Sequence, residues 1–357
     1  MSDKLVPNIE EPKQTEQQAS LHNQQPAVNP GARRSDELSP YRSFDPPPPG
    51  FDPHTAPNEV LLRHGLPRRP HPEREPDIAR IWKLIFARPL TYIKAELKLD
   101  KVMSERSRGK AKGGADFGPE SWIGAILRFG APFRWVSAEW VIPEVIGNKR
   151  WQGGTKIGLW VGMDGFLAED NQVLQAGVSA TLDTNWSWSW WPPFLVRHSV
   201  ITWNAWTEWY PRASQAIPNF PVKPGDTVSV VVCAPQPGDT ATVFFANLST
   251  NHGTSIEVHA PDGYTLQGDS VEWIVEPVSG VPWLLGAPPL LQFNPVAFNS
   301  CRAGAPDQFF DLRNAGQMPP DGSVLANVHI ERPSLVDPPD PDYQPNSVTV
   351  AWIKSAP

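Results

Sequence analysis

Trp160-Val-Gly-Met-Asp-Gly165, Leu174-Gln-Ala-Gly177 and Val271-Glu-Trp-Ile-Val-Glu276 are three short runs of β-branched and aromatic residues bounded by Gly, Asp or Pro. That composition reads as β-strand. Side chains two apart in a strand share a face. Trp160 therefore shares a side with Asp164, Val173 with Gln175, and Glu272 with Ile274 and Glu276. A fourth run, Asn204-Ala-Trp-Thr-Glu-Trp-Tyr210, places Asn204, Trp206, Glu208 and Tyr210 together. Each strand presents acids, amides and aromatics on one side and apolar or small residues on the other. Such a face reads as a cleft lined by carboxylates.

Working outward, strand candidates follow one another from about Phe117 to the end, separated by turn signals such as Lys223-Pro-Gly-Asp226 and Pro261-Asp-Gly263. Almost no helical stripe interrupts them. The expectation is an all-β domain, residues 115–357, of two packed antiparallel sheets. Before it lie Asn58-Glu-Val-Leu-Leu-Arg-His-Gly65, read as a short capped helix ended by Gly, and the helical stripe Ile78, Ile81, Trp82, Ile85, Phe86. Lys101 to Gly114 reads as a basic linker, so 59–114 forms a basic, partly helical segment. Residues 1–58, rich in Gln and Pro, read as a disordered tail.

Charge is partitioned along the chain. Residues 61–113 carry 14 Lys/Arg against 6 Asp/Glu, and residues 114–357 carry 12 against 23. An acidic domain argues against nucleic acid as its partner. No apolar run approaches the length of a membrane span. Met1-Ser-Asp-Lys-Leu-Val-Pro7 shows no apolar core, so no secretory signal is visible. A cytoplasmic location is the default expectation, with non-classical secretion the alternative. No C-x-x-C exists and the His residues lack ligand spacing, so neither a metal nor a cofactor is expected. Cys233 and Cys301 read as buried free thiols, with one inter-strand disulfide as the alternative.

Seven motifs in order resemble the glutamic peptidases, the eqolisin family. They begin with Glu120-Ser121-Trp122-Ile-Gly124-Ala125, where the family has Ser-Asn-Trp-x-Gly-Ala, and with Val136-Ser-Ala-Glu-Trp-Val-Ile-Pro143. The Trp160 and Leu174 motifs follow, then Trp206-Thr-Glu-Trp-Tyr-Pro211, Gly225-Asp226 with Asn247-Leu-Ser-Thr250, and the Glu272–Glu276 run. The resemblance implies a concanavalin A-like β-sandwich and an acid endopeptidase acting on polypeptides, without a metal or covalent intermediate. It implies a catalytic pair at Gln175 and Glu276: the carboxylate moves the proton of the attacking water, and the amide stabilises the oxyanion. Asp164 and Glu208 match acids of the family's cleft, and Trp122, Trp160, Trp206 and Tyr210 match its aromatics. Those Trp residues divide evenly between core and cleft wall. Glu272 reads as a supporting cleft acid or a solvated one.

Two departures thin the acid cluster: Ser179 and Asn204 stand where the family has Asp. A lectin-like carbohydrate-binding module and an inactive peptidase homologue therefore stay open as alternatives. A glycosidase ranks last because it gives Gln175 no role. Asn185-Trp-Ser-Trp-Ser-Trp-Trp-Pro-Pro-Phe194 alternates Trp and Ser; it reads either as an aromatic rim of the cleft or as a hairpin capping the sandwich. The propeptides of the family and the charge contrast suggest an intramolecular basic inhibitory segment within 61–113, with a permanent structural cap as the alternative.

Overall fold

The computed structural model describes residues 39–100, 121–128, 132–146, 155–166, 172–190, 193–234, 238–279, 290–305, 308–323, 325–333 and 346–354, with much of 184–197 described by its backbone alone. All of these fall in one compact unit, Ser39–Pro357.

Two large sheets build it. The first runs β1 (Tyr41–Ser43), β13 (His252–His259), β12 (Thr240–Asn247), β11 (Thr227–Cys233), β5 (Trp135–Val141), β16 (Val296–Ala305), β20 (Ser347–Trp352), β19 (Ala326–Glu331). The short strands β2 (Thr91–Tyr92) and β17 (Gln308–Phe310) pair with β13 and β16. The second sheet runs β18 (Gly316–Met318), β4 (Ile123–Leu127), β14 (Val271–Ser279), β7 (Thr155–Met163), β8 (Val173–Trp190), β9 (Pro193–Tyr210), β10 (Gln215–Ile217), β3 (Lys98–Leu99). A small pair, β6 (Val145–Ile146) with β15 (Gln292–Phe293), stands apart.

The expected two-sheet sandwich is what forms, and strand alternation explains it. On β7 the odd-numbered Ile157, Leu159, Val161 and Met163 enter the core between the sheets. So do Leu174, Ala176 and Val178 of β8, and Trp273 and Val275 of β14. They meet Val136, Ala138 and Trp140 of β5 and Val228, Val230 and Val232 of β11. Fully burying one such aliphatic side chain is worth about 1.5–3 kcal/mol, and the interlayer buries many of them. Trp140, Trp209 and Trp273 belong to this core.

The N-terminal segment folds onto the first sheet. Helix α1 (Asn58–Arg63) and helix α2 (Pro76–Ile85) bring Leu61, Ile81, Trp82, Ile85 and Phe86 onto Phe244 and Ala246, the outward-facing residues of β12. The stripe expected at 78–86 is thus a packing face, although Ile78 itself is not among the buried residues. Asn58 does not cap α1. Its Oδ1 accepts from the Arg69 amide at 2.7 Å, holding the α1–α2 connection.

One boundary needs correction. Residues 39–57, assigned by composition to a disordered tail, are folded: β1 pairs with β13, and buried Tyr41 accepts a bond from the Trp209 amide at 3.2 Å. Composition averaged over the whole tail hides the few apolar anchors, Tyr41 and Phe51, that tie this part down. Residues 1–38 lie outside the described residues.

Cys233 and Cys301 are both free thiols, and burial pushes the Cys233 thiol up to about 11. The Trp-rich stretch is the distal part of a hairpin in which β8 and β9 remain in register from Val173–Tyr210 out to Trp190–Pro193. Positions 186, 188 and 190 have the parity of core-facing Ala180 and Leu182, opposite to Gln175. An aromatic rim facing the cleft does not follow from that register.

Candidate active site

The polar face of the second sheet is assembled by register. Gln175 on β8 stands opposite Glu208 on β9 and Gly162 on β7, and Gly162 stands opposite Glu272 on β14. Two residues along, Trp206, Gly177, Trp160 and Ile274 make the next row. Asn204, Ser179, Gly158 and Glu276 make the third. All three rows turn away from the core because their odd or even partners fill it.

Aromatic packing gives this face a floor. Trp122, Trp160, Trp206, Ile274 and Val278 form a cluster separate from the main core, with half-buried Tyr210 and Phe166 packed against it. Trp122 and Trp160 meet edge to face at 5.0 Å. Glycine makes room for the indole of Trp160 at Gly162, where a Cβ would come within 2.9 Å of its ring; at Gly177 a Cβ would instead strike the backbone of Leu159 and Trp160. Trp122, Trp160 and Trp206 are thus buried in this second cluster, apart from the core between the sheets.

Two donors among the described residues reach Glu276. Ser121 Oγ donates to its Oε1 at 3.0 Å, and Trp160 Nε1 donates to its Oε2 at 3.2 Å. Gln175 Nε2 donates to Glu208 Oε2 at 2.6 Å. Gln175, Glu208 and Glu276 are each 1 % exposed, and Glu272 is fully buried. Among the described residues, Gln175 Oε1, Ser179 Oγ and Trp206 Nε1 are buried without a protein hydrogen-bond partner. Unsatisfied buried polar atoms cost free energy unless something else completes them. Three on one face of β8 and β9 mark a place suited to a polar ligand.

Asp164 has a different place from the one expected. It lies at φ +67° just past β7, and its carboxylate accepts from the Gln267, Gly268 and Asp269 amides at 2.8, 2.6 and 3.1 Å. It clasps the loop that leads into β14 and does not line the cleft. Burial pushes its carboxyl up to about 6; the amides oppose that rise and the charge of Asp269 adds to it. Gln172 completes the clasp, linking Asp164, the Thr265 carbonyl and Trp209 Nε1.

Ser121 and Lys156 join the polar face beside the expected residues. Ser121 stands inside the Ser121–Ala125 motif, and Lys156 is a lone cation in an otherwise apolar strand, so each carries a signal in the sequence. Among the described residues, no three His, Cys, Asp or Glu side chains gather to hold a metal.

Residues 120–337 match the profile of the Peptidase A4 family, more than half of the chain. The chain belongs to the Peptidase A4 family. Aspergillopepsin-2 of Aspergillus niger is 26% identical to this A4 member over 238 residues, covering 60% of this chain and 76% of the relative. Scytalidopepsin B of Scytalidium lignicola is 28% identical over 157 residues, covering 44% of this chain and 51% of the relative. Among solved structures, scytalido-glutamic peptidase with a transition-state analogue inhibitor aligns with a TM-score of 0.47 at 19% identity, over 66% of this chain and 98% of that one. Aspergilloglutamic peptidase from Aspergillus niger aligns at 0.40 and 22% identity, over 56% and 99%. The eqolisin resemblance of the motifs and the family match agree, and the function they support is that of a peptidase, a hydrolase of polypeptides.

Proposed function

We propose that this A4 chain is an endopeptidase in which Gln175 and Glu276 form the catalytic pair. The observation that carries the reading is the setting of Glu276: a buried carboxylate on the polar face, each oxygen accepting from a described donor, two rows from a glutamine whose Oε1 has no partner among the described residues. Ser121 and Trp160 fix the orientation of the carboxylate, which a general base needs.

In the proposed cycle, Glu276 takes a proton from water as the water oxygen attacks the substrate carbonyl carbon. Gln175 turns its Nε2 from Glu208 toward the carbonyl oxygen as that oxygen becomes an oxyanion. Collapse of the tetrahedral intermediate breaks the C–N bond, and Glu276 returns the proton to the leaving nitrogen. The carboxylate ends as it began, and no atom of the enzyme becomes bonded to substrate. Glu208 keeps the amide oriented between turnovers, Trp160 and Trp206 wall the site, and Glu272 lies in the row of Gln175 at the far end of the face.

Hydrolysis of denatured casein from acid to neutral pH, with pepstatin present to exclude aspartic proteases, tests the reading. Cleavage that disappears in Glu276→Gln is the expected result. Casein left intact at every pH, by a chain whose fold is verified, would overturn it.

A further inference from the structure

Lys156 stands on the polar side of β7, one row beyond Glu276, opposite Thr181 of β8 and Val278 of β14. Its side chain is only 3 % exposed and forms an ion pair with Asp100, itself 9 % exposed. Asp100 belongs to another part of the molecule. It continues β3, and its amide donates to the Ser214 carbonyl at 2.9 Å. In that strand Lys98 stands opposite Ala216, which stands opposite Trp206, so Lys98 and Asp100 have the polar-face parity.

β3 is the outermost strand, four places from β7 in the order β7, β8, β9, β10, β3. Four strand spacings amount to roughly 19 Å across a flat sheet, beyond the reach of an aspartate and a lysine. The sheet is therefore curled, and the pair crosses over β8 and β9, where Gln175, Ser179 and Glu208 lie. The near-complete burial of those residues fits a face closed over in this way.

We infer that Lys156 is a specificity-determining residue that reads a carboxylate on the substrate, and that Asp100 occupies the site as an intramolecular stand-in. A buried ammonium needs an anionic partner, so whatever displaces Asp100 to open the face must replace its charge. One row along a strand is about 7 Å, or two residues of extended peptide. The preferred substrate thus carries Asp or Glu about two residues from the cleaved bond. This inference rests on the peptidase reading for its location relative to Glu276, and on the ion pair for its chemistry.

The full chain, Asp100→Asn and Lys156→Met, each verified by thermal melting, are to be given a peptide library with cleavage sites mapped by mass spectrometry. Acidic residues are expected to be enriched about two positions from the cut. Asp100→Asn should raise that preference about tenfold, and Lys156→Met should erase it while cleavage elsewhere continues. Enrichment unchanged in Lys156→Met, or absent from the full chain, overturns the inference. Should Lys156→Met fail to fold, Asp100→Asn alone decides: no gain in acidic preference refutes it. Should no peptide be cleaved by any form, the peptidase reading fails separately, and calorimetry takes over with N-acetyl-glutamate amide against N-acetyl-glutamine amide. Asp100→Asn binding the acid and not the amide, with Lys156→Met binding neither, supports the inference; equal or absent binding of the two overturns it.

Discussion

The outer faces of the two sheets follow the same alternation and reach opposite ends. On β12 the outward residues Phe244 and Ala246 are apolar, and the chain folds two helices over them, contributing Leu61, Ile81, Trp82, Ile85 and Phe86. On β7, β8 and β14 the outward residues are Trp160, Gly162, Gln175, Glu272 and Glu276, and neither described helix covers them. An apolar outer face must be covered to gain its burial energy. A face of acids, amides and indoles can instead be completed by a ligand. The helical part of the basic segment therefore packs on the sheet opposite the candidate site. Its last described residue, Asp100, pairs with Lys156 of the polar face.

The contrast breaks at the proposed catalytic pair or not at all. Glu276→Gln is expected to reduce peptide hydrolysis to background and Gln175→Ala to reduce it about 100-fold or more, each with a melting temperature close to the parent. Activity retained in either variant, at unchanged melting temperature, would move the chemistry elsewhere. On the covered face the expectation reverses. Trp82 is 4 % exposed, donates from Nε1 to the Pro67 carbonyl at 3.1 Å and packs on Phe86. Trp82→Ala should cost about 3–5 kcal/mol of stability in denaturant titration, while hydrolysis per folded molecule stays the same. A loss of kcat without a loss of stability would tie the cap to the site.

Much of this contrast was legible in the sequence because a period of two is a local signal. Gln175, Glu208, Glu272 and Glu276 were placed on shared faces from spacing alone, and the structure aligns them in rows. What escaped was long-range. Asp164 has the parity of a cleft acid, yet its partners are amides more than a hundred residues away, and backbone donors leave no mark in composition. The fold of residues 39–57 depends on a few anchors finding β13 and β9, again across the chain. The Lys156–Asp100 pair joins two segments whose only local hint is an isolated lysine. Local patterns specified faces; which distant group completes a face was set by topology.

The Asp164 clasp gives the comparison a pH dependence. Its carboxyl titrates near 6 in the folded chain against an ordinary value of 3.8. Between those values the folded chain holds a proton that the unfolded chain has released. Stability is therefore expected to rise as pH falls from about 6 toward 4, by at most about 3 kcal/mol from this group. Other titrating groups add their own slopes, so the measurement is a difference. Chemical denaturation of the parent and of Asp164→Asn across that window should show the rise in the parent and a flatter profile in the variant. Parallel profiles would mean that the three amides, not burial, govern this carboxyl.

The smallest effect is expected at Trp188, and it tests the assignment of faces most sharply. Trp188 lies opposite Leu195 in the distal part of the β8–β9 hairpin and is 50 % exposed. By parity it is on the side opposite Gln175, beyond Leu182, the last core residue of β8. A half-exposed side chain outside the core contributes little to folding, so Trp188→Ala should change stability by no more than about 0.5 kcal/mol. It should also leave kcat/KM for casein peptides unchanged, because the position shares neither face nor row with Glu276. A rise in KM with kcat preserved would show that the hairpin bends over the polar face and binds substrate there. Such a result would replace the register argument with a curled, two-sided cleft.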